Sequence, residues 1–213
     1  VAAQKQRLLP KTRASAIRLA EAHPRLKALI DTVGPSKLYY DPESSVFQAL
    51  TSAITHQQLH GSAARTIFAR FVALFPPPFP EPRAVAEAEL DSLLGVGLSR
   101  SKANAIKDLA AKILDGTVPG REAARRMSNE ELVDQITKVK GIGRWTVEIF
   151  LIFNLGRPDI FPVHDFGVRK GWALLFRKRR LPTPEELEKQ SAKFSPHRST
   201  LAWYLWRAAD LAV

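Results

Sequence analysis

Cysteine is absent from the 213 residues. That excludes a disulfide framework, a thiolate nucleophile, a cysteine zinc site and a cysteine-held iron–sulfur cluster. Long apolar runs are missing too: no stretch approaches the roughly 20 residues a membrane-spanning helix needs. No signal-peptide pattern opens the chain. Acid is in short supply, with 21 Asp and Glu against 32 Lys and Arg, a net charge of +11. An excess of that size favours a polyanionic partner over an acidic or membrane-buried role. What is present is ordinary for a globular protein: 45% apolar and 25% charged residues, in a length that suits one large or two small domains. The expectation is a basic intracellular protein, cytoplasmic or nuclear according to its cell.

The positive charge is clustered. Residues 1–40 hold Lys5, Arg7, Lys11, Arg13, Arg18, Arg25, Lys27 and Lys37 against Glu21 and Asp31. A second group, Arg169, Lys170, Arg177, Lys178, Arg179 and Arg180, has no acid among it. Such groups neutralise phosphates and release counterions, giving affinity for nucleic acid without sequence preference. A solvated face on a basic protein is the other reading of the same charges.

Apolar residues recur at helical spacing nearly throughout. Val46, Leu50, Ala53 and Ile54 make one stripe, and Ala103, Ile106, Ala110, Ile113 and Leu114 a second. Trp145, Ile149, Ile152 and Phe153 make a third, and Leu201, Tyr204, Leu205 and Ala208 a fourth. Breakers separate them at Gly34-Pro35, in the proline run between Phe75 and Pro80, at Pro119-Gly120, Pro158 and Pro162, and at Pro182 with Pro184. Ser99 reads as a helix N-cap, and Ser128 with Glu131 has capping-box spacing. No alternating strand pattern, repeat or low-complexity linker is visible. The pattern predicts an all-α fold of about ten helices with short connections.

Residues 132–149, LVDQITKVKGIGRWTVEI, predict helix, turn and helix. Two glycines around Ile142 allow a tight turn and close approach of a ligand to the backbone, while Ile142 anchors the turn between the helices. Amides opening the second helix are suited to a phosphate oxygen. Downstream lies Phe161-Pro162-Val163-His164-Asp165-Phe166-Gly167-Val168-Arg169-Lys170.

The order of K-G-I-G-R-W-T and F-P-x-x-D-x-G-V-R-K resembles the helix-hairpin-helix-GPD superfamily of DNA glycosylases, in its alkylpurine (3-methyladenine II) branch. Two further segments match it: Ala53-Ile54-Thr55-His56-Gln57-Gln58-Leu59-His60, and Leu94-Gly95-Val96-Gly97-Leu98-Ser99 followed by Lys102-Ala103. The resemblance covers about residues 40–210. It implies an HhH-GPD fold of two helical lobes flanking a DNA-binding cleft, here about 40–140 and 1–39 plus 141–213, in one compact unit. It also implies a monofunctional enzyme of base excision repair that flips out 3-methyladenine or 7-methylguanine and hydrolyses the N-glycosidic bond.

Roles follow by position. Asp165 takes the place of the essential aspartate, stabilising positive charge on the sugar and orienting water; helix capping is its structural alternative. Trp145 stands where relatives that also cut the strand carry a Schiff-base lysine, so no lyase activity is expected. Trp145 and Trp206 would line the base pocket, stacking on a cationic purine, with core filling as their alternative. Ile149 stands where some relatives place an aromatic, implying a roomier pocket. His164 replaces a second acid found in the branch, and its pocket role stays open. Gln58 matches the residue that fills the gap left by the flipped base; Leu59 or His60 are the alternatives, and Gln57 would steady the loop.

The resemblance also implies backbone gripping by Lys140, Gly141, Ile142, Gly143 and Arg144, with a second contact at Gly97 and Ser99. Carbonyls of Thr137, Lys140 and Ile142 would hold a structural Na+ or K+. No cofactor is required, and no iron–sulfur cluster is possible. The resemblance implies damaged double-stranded DNA as the partner, not a membrane, and a monomeric enzyme of compact form, expected to lack the extra β-rich domain of longer relatives. Two other readings stay open: a helix-hairpin-helix DNA-binding protein without catalysis, and a glycosylase with lyase activity.

Overall fold

Side chains that accept hydrogen bonds open many of the helices. In the computed structural model, which describes residues 6–58 and 61–211, Ser45, Ser99 and Asp165 each take a backbone N–H two or three residues into the helix that follows. Ser128–Glu131 closes a reciprocal capping box, as its spacing predicts, and Thr183–Glu186 closes another. Leu59 and His60, two of the gap-filling candidates, lie outside the described residues.

Thirteen α-helices and one short 3-10 turn occupy the described residues. In chain order they are α1 (Thr12–Ala22), α2 (Pro24–Val33), α3 (Val46–His56), α4 (Gly61–Ala73), α5 (Pro82–Glu87), α6 (Leu90–Gly95) and α7 (Arg100–Leu114). Then follow α8 (Arg121–Arg126), α9 (Asn129–Ile136), α10 (Arg144–Phe153), α11 (Phe166–Leu175), α12 (Pro184–Ser191) and α13 (Arg198–Leu211). Two strands accompany them, β1 (Arg7–Leu8) and β2 (Tyr39–Tyr40), paired antiparallel with Arg7 opposite Tyr40. At two residues each they are too short for alternation to show in a sequence. The same limit hides α5, α6 and α8, of six residues each, and accounts for the expected ten helices falling short.

The chain separates into two units. One is built from residues 44–150, the other from 1–43 and 151–213. The sequence reading grouped the turn at 141–143 with the terminal segments; it groups instead with 44–150. The cause is local bonding. The Gly141 carbonyl accepts from Gln57, just after α3, and the Lys140 N–H donates to Asp108 of α7.

In the 44–150 unit, α7 is the central helix, with α3, α5 and α6 packed on it. Its Ala103, Ile106, Leu109 and Ala110 are buried, as are Val46, Leu50 and Ile54 of α3; the α7 stripe leaves the core at its end, where Ile113 is half-buried and Leu114 exposed. In the other unit α11 and α13 pack closely, with α1 and α2 against α13. Trp172, Leu187, Phe194, Leu201, Tyr204 and Leu205 form the core there. Gly171 permits the contact: a Cβ on it would sit 2.0 Å from the Leu205 carbonyl oxygen. Arg198 ties α13 to the preceding loop by donating to both carboxylate oxygens of Asp159, each at 2.9 Å.

Candidate active site

The segment Pro162–Val168 fixes one carboxylate. Asp165 caps α11, its Oδ1 accepting from Val168 N–H at 2.8 Å and from the Trp206 indole Nε1–H at 2.9 Å. Asp165 thus fills the capping role open to it, and its side chain stays half-buried at the positive end of the α11 dipole. Gly167 leaves room for the indole. A Cβ there would come within 2.8 Å of Trp206 Cδ1 and 3.1 Å of Asp165 Oδ1. On the ring's far side Phe153 stacks on Trp206, with centroids 5.8 Å apart and planes at 27°. Trp206 thus packs against the core of its unit and also donates to the carboxylate. Phe166, next to Asp165, is 65% exposed. His164 is exposed on the loop before α11.

The 44–150 unit carries a separate set. A cavity of about 560 Å³ is lined by Ala53, His56, Gln57, Gln58, Trp145, Thr146 and Ile149, within the usual size range of small-ligand pockets. Trp145, in the first turn of α10, leaves 41% of its surface exposed. A tryptophan that far out of the core keeps stacking surface for a ligand. Ile149, one turn on, is half-buried beside it.

The loop after α3 is anchored at Gln57. Its side-chain Nε2 donates to the Gly141 carbonyl at 3.1 Å and to Thr146 Oγ1 at 3.4 Å, the steadying role its position implies. Gln58 is exposed and adopts a left-handed backbone, φ 54°, a conformation few non-glycine residues take and one that clusters at functional sites.

The turn of the hairpin is held from below. Ile142 is buried, and its N–H donates to the Val139 carbonyl. Gly141 adopts φ 80°. Gly141 and Gly143 are exposed, and their N–H groups donate to no group among the described residues. A Cβ on Gly143 would meet nothing within 4 Å, so the backbone is open to an incoming ligand. Lys140 is exposed, its own N–H held by Asp108 at 2.7 Å.

The Arg144 side chain is paired within the fold. Its guanidinium makes a two-pronged contact with Glu130, at 2.9 and 2.6 Å, and donates to Glu148 at 3.2 Å. Those carboxylates hold its pKa above the usual arginine value. It braces α9 against α10. In the loop before α7, Gly97 has φ 101° and Leu98 is buried, while Ser99 caps the helix by accepting from Lys102 N–H.

Sequence reasoning did not single out Phe153, which reads as one more apolar position in the α10 stripe, or Thr146 and Lys102. Lys102 was visible only as part of a motif. No helix among the described residues is long and apolar enough to cross a membrane.

Residues 51–197 match the family model described as HhH-GPD superfamily base excision DNA repair protein. The chain is 37% identical over 195 residues to DNA-3-methyladenine glycosylase 1 of Schizosaccharomyces pombe, covering 91% of this chain and 85% of that one. Its fold is similar to the solved 3-methyladenine DNA glycosylase of the same yeast in complex with abasic DNA. That match has a TM-score of 0.84 and 35% identity, and covers 93% of this chain and 98% of the other. A DNA-3-methyladenine glycosidase from Bacillus halodurans matches with a TM-score of 0.80 at 26% identity, covering 91% and 88%.

Proposed function

The chain belongs to the HhH-GPD superfamily of base excision DNA repair proteins, and from that premise we propose that it is a monofunctional DNA glycosylase for alkylated purines. Its substrates are 3-methyladenine and 7-methylguanine in duplex DNA, and its product is an abasic site. The observation that carries this reading is the doubly anchored Asp165, set beside an aromatic wall.

Alkylation at N3 or N7 makes the purine a cation, so it leaves with the bonding electron pair as a neutral base. Positive charge then develops on the sugar, where a fixed carboxylate stabilises it without reorganising. Asp165 is fixed in that way by Val168 and Trp206. Water adds to the sugar carbon and gives up a proton, for which Asp165 is the acceptor. Trp145 supplies stacking surface for an electron-poor base, and Ile149 leaves the wall beyond it apolar. The indole has no amine, so no Schiff base forms with the sugar and the strand stays intact.

The 44–150 unit grips DNA. The exposed N–H groups of Gly141 and Gly143 receive phosphate oxygens, with Lys140 adding charge and Gly97–Ser99 a second backbone contact. Gln58 fills the gap left by the extruded base. A Na+ or K+ suits the hairpin: the carbonyls of Thr137, Lys140 and Ile142 accept no hydrogen bond among the described residues, whereas those of Val139 and Gly143 accept from backbone N–H groups and that of Gly141 from the Gln57 side chain. Those carbonyls would hold the cation, which would add positive charge to the DNA-gripping turn. The protein acts as a monomer wherever its DNA lies and needs no cofactor for the chemistry.

The test is incubation with duplex carrying one 7-methylguanine, followed by borohydride and, separately, by alkali. The expected result is strand cleavage only after alkali and no covalent adduct. A trapped protein–DNA adduct would contradict the monofunctional assignment, and unchanged DNA would contradict the glycosylase reading.

A further inference from the structure

Lys102 sits in the first turn of α7, where the helix dipole disfavours a cation. Its Nζ leaves that helix and donates to the carbonyls of Thr55, at 2.9 Å, and Gln57, at 2.7 Å. These close the C-terminal end of α3, whose dipole does favour a cation. Among the described residues no carboxylate pairs with it, so backbone oxygens are its counter-charge. The side chain is half-buried, and burial pushes its pKa below the usual lysine value. A lysine kept charged in such a place stands there for its contacts.

The contacts converge on one residue. The carbonyl of Gln57 is held by Lys102, and its side chain is held by Gly141 and Thr146. Immediately beyond, Gln58 turns into the left-handed region. The chain is therefore gripped from α7 and from the hairpin one residue before the gap-filling candidate.

Resting on the base-extruding reading above, we propose that Lys102 is a positioning residue for gap filling: by holding the Thr55 and Gln57 carbonyls it presents Gln58 to the opened DNA stack. It touches neither the base nor the sugar. Its loss therefore lowers the stability of the opened state and leaves general binding to duplex intact.

The experiment compares the parent protein with Lys102→Met and Lys102→Arg on two duplexes. One is undamaged. The other carries a tetrahydrofuran abasic analogue beside 2-aminopurine, whose fluorescence reports opening of the stack. Loss of two charge-assisted bonds should reduce the preference of Lys102→Met for the analogue by about tenfold or more. The fluorescence rise should fall with it, while affinity for undamaged duplex stays within about twofold. Lys102→Arg, which keeps the charge and the donors, should recover both signals. A Lys102→Met protein that keeps the preference overturns the proposal. So does one that loses both affinities equally as its melting temperature falls, since that is a structural role alone. If Lys102→Met does not fold, Lys102→Gln is measured below its melting temperature, and an unchanged preference there overturns the proposal as well. A parent protein with no preference for the analogue overturns the glycosylase reading itself, and this inference with it.

Discussion

Asp165 Oδ1 is served by a main-chain and an indole donor, and the two can be separated. Trp206→Phe keeps an aromatic wall against Phe153 and removes the donor. The rate of base release should fall about ten- to a hundredfold, the effect of one hydrogen bond to a charged group, with little change in the melting temperature. Equal loss of rate and stability would instead make Trp206 a core residue. Gly167→Ala places a methyl against the indole and the carboxylate. It should slow single-turnover release about tenfold or more, with duplex affinity unchanged. The sequence marks Asp165, Trp145 and Trp206 because each lies in a motif of fixed spacing. It does not reveal that Trp206 bonds Asp165, because 41 residues separate them. Nor does it reveal the pairing of Arg144 with Glu130, 14 residues away.

At the scale of elements, the hairpin and the caps were legible and the packing contacts were not. Helical stripes locate α3, α7, α10 and α13 because each is long enough to repeat its period. The turn at 141–143 is legible because glycine marks the residue that needs a positive φ. Gly141→Ala forces a side chain into φ 80°, a strain of about 1 kcal/mol. It should lower duplex affinity several-fold in a filter-binding titration, through the hairpin amides. The link between Asp159 and Arg198 has no signature in sequence, yet it makes part of the stability depend on pH. Burial raises the Asp159 pKa, and the bonds from Arg198 and Ser195 outweigh it, so the group lies below its ordinary value of 3.8. A depressed folded-state pKa stabilises above the unfolded value and is lost as the carboxylate is protonated. The contribution should be complete above about pH 5 and fade as pH falls through 3.8 and below. Melting temperatures of Asp159→Asn should therefore converge with those of the parent at low pH; a constant gap from pH 3 to pH 7 would contradict this.

For the whole molecule, a net charge of +11 and a matched family of DNA repair proteins support DNA as the partner. Binding to undamaged duplex should weaken linearly in log–log coordinates with salt, at about −0.9 per neutralised phosphate. A flat response would remove the electrostatic argument. Charge sets affinity and not chemistry, so the account stands or falls on one carboxylate. Asparagine at position 165 keeps a good N-cap and removes the negative charge. Chromatography of bases released from methylated duplex DNA, by the parent and by Asp165→Asn at equal DNA occupancy, is the most direct test. The account predicts 3-methyladenine and 7-methylguanine from the parent and at least about a hundredfold less from the variant, with DNA binding retained. Equal release by the two proteins would contradict it.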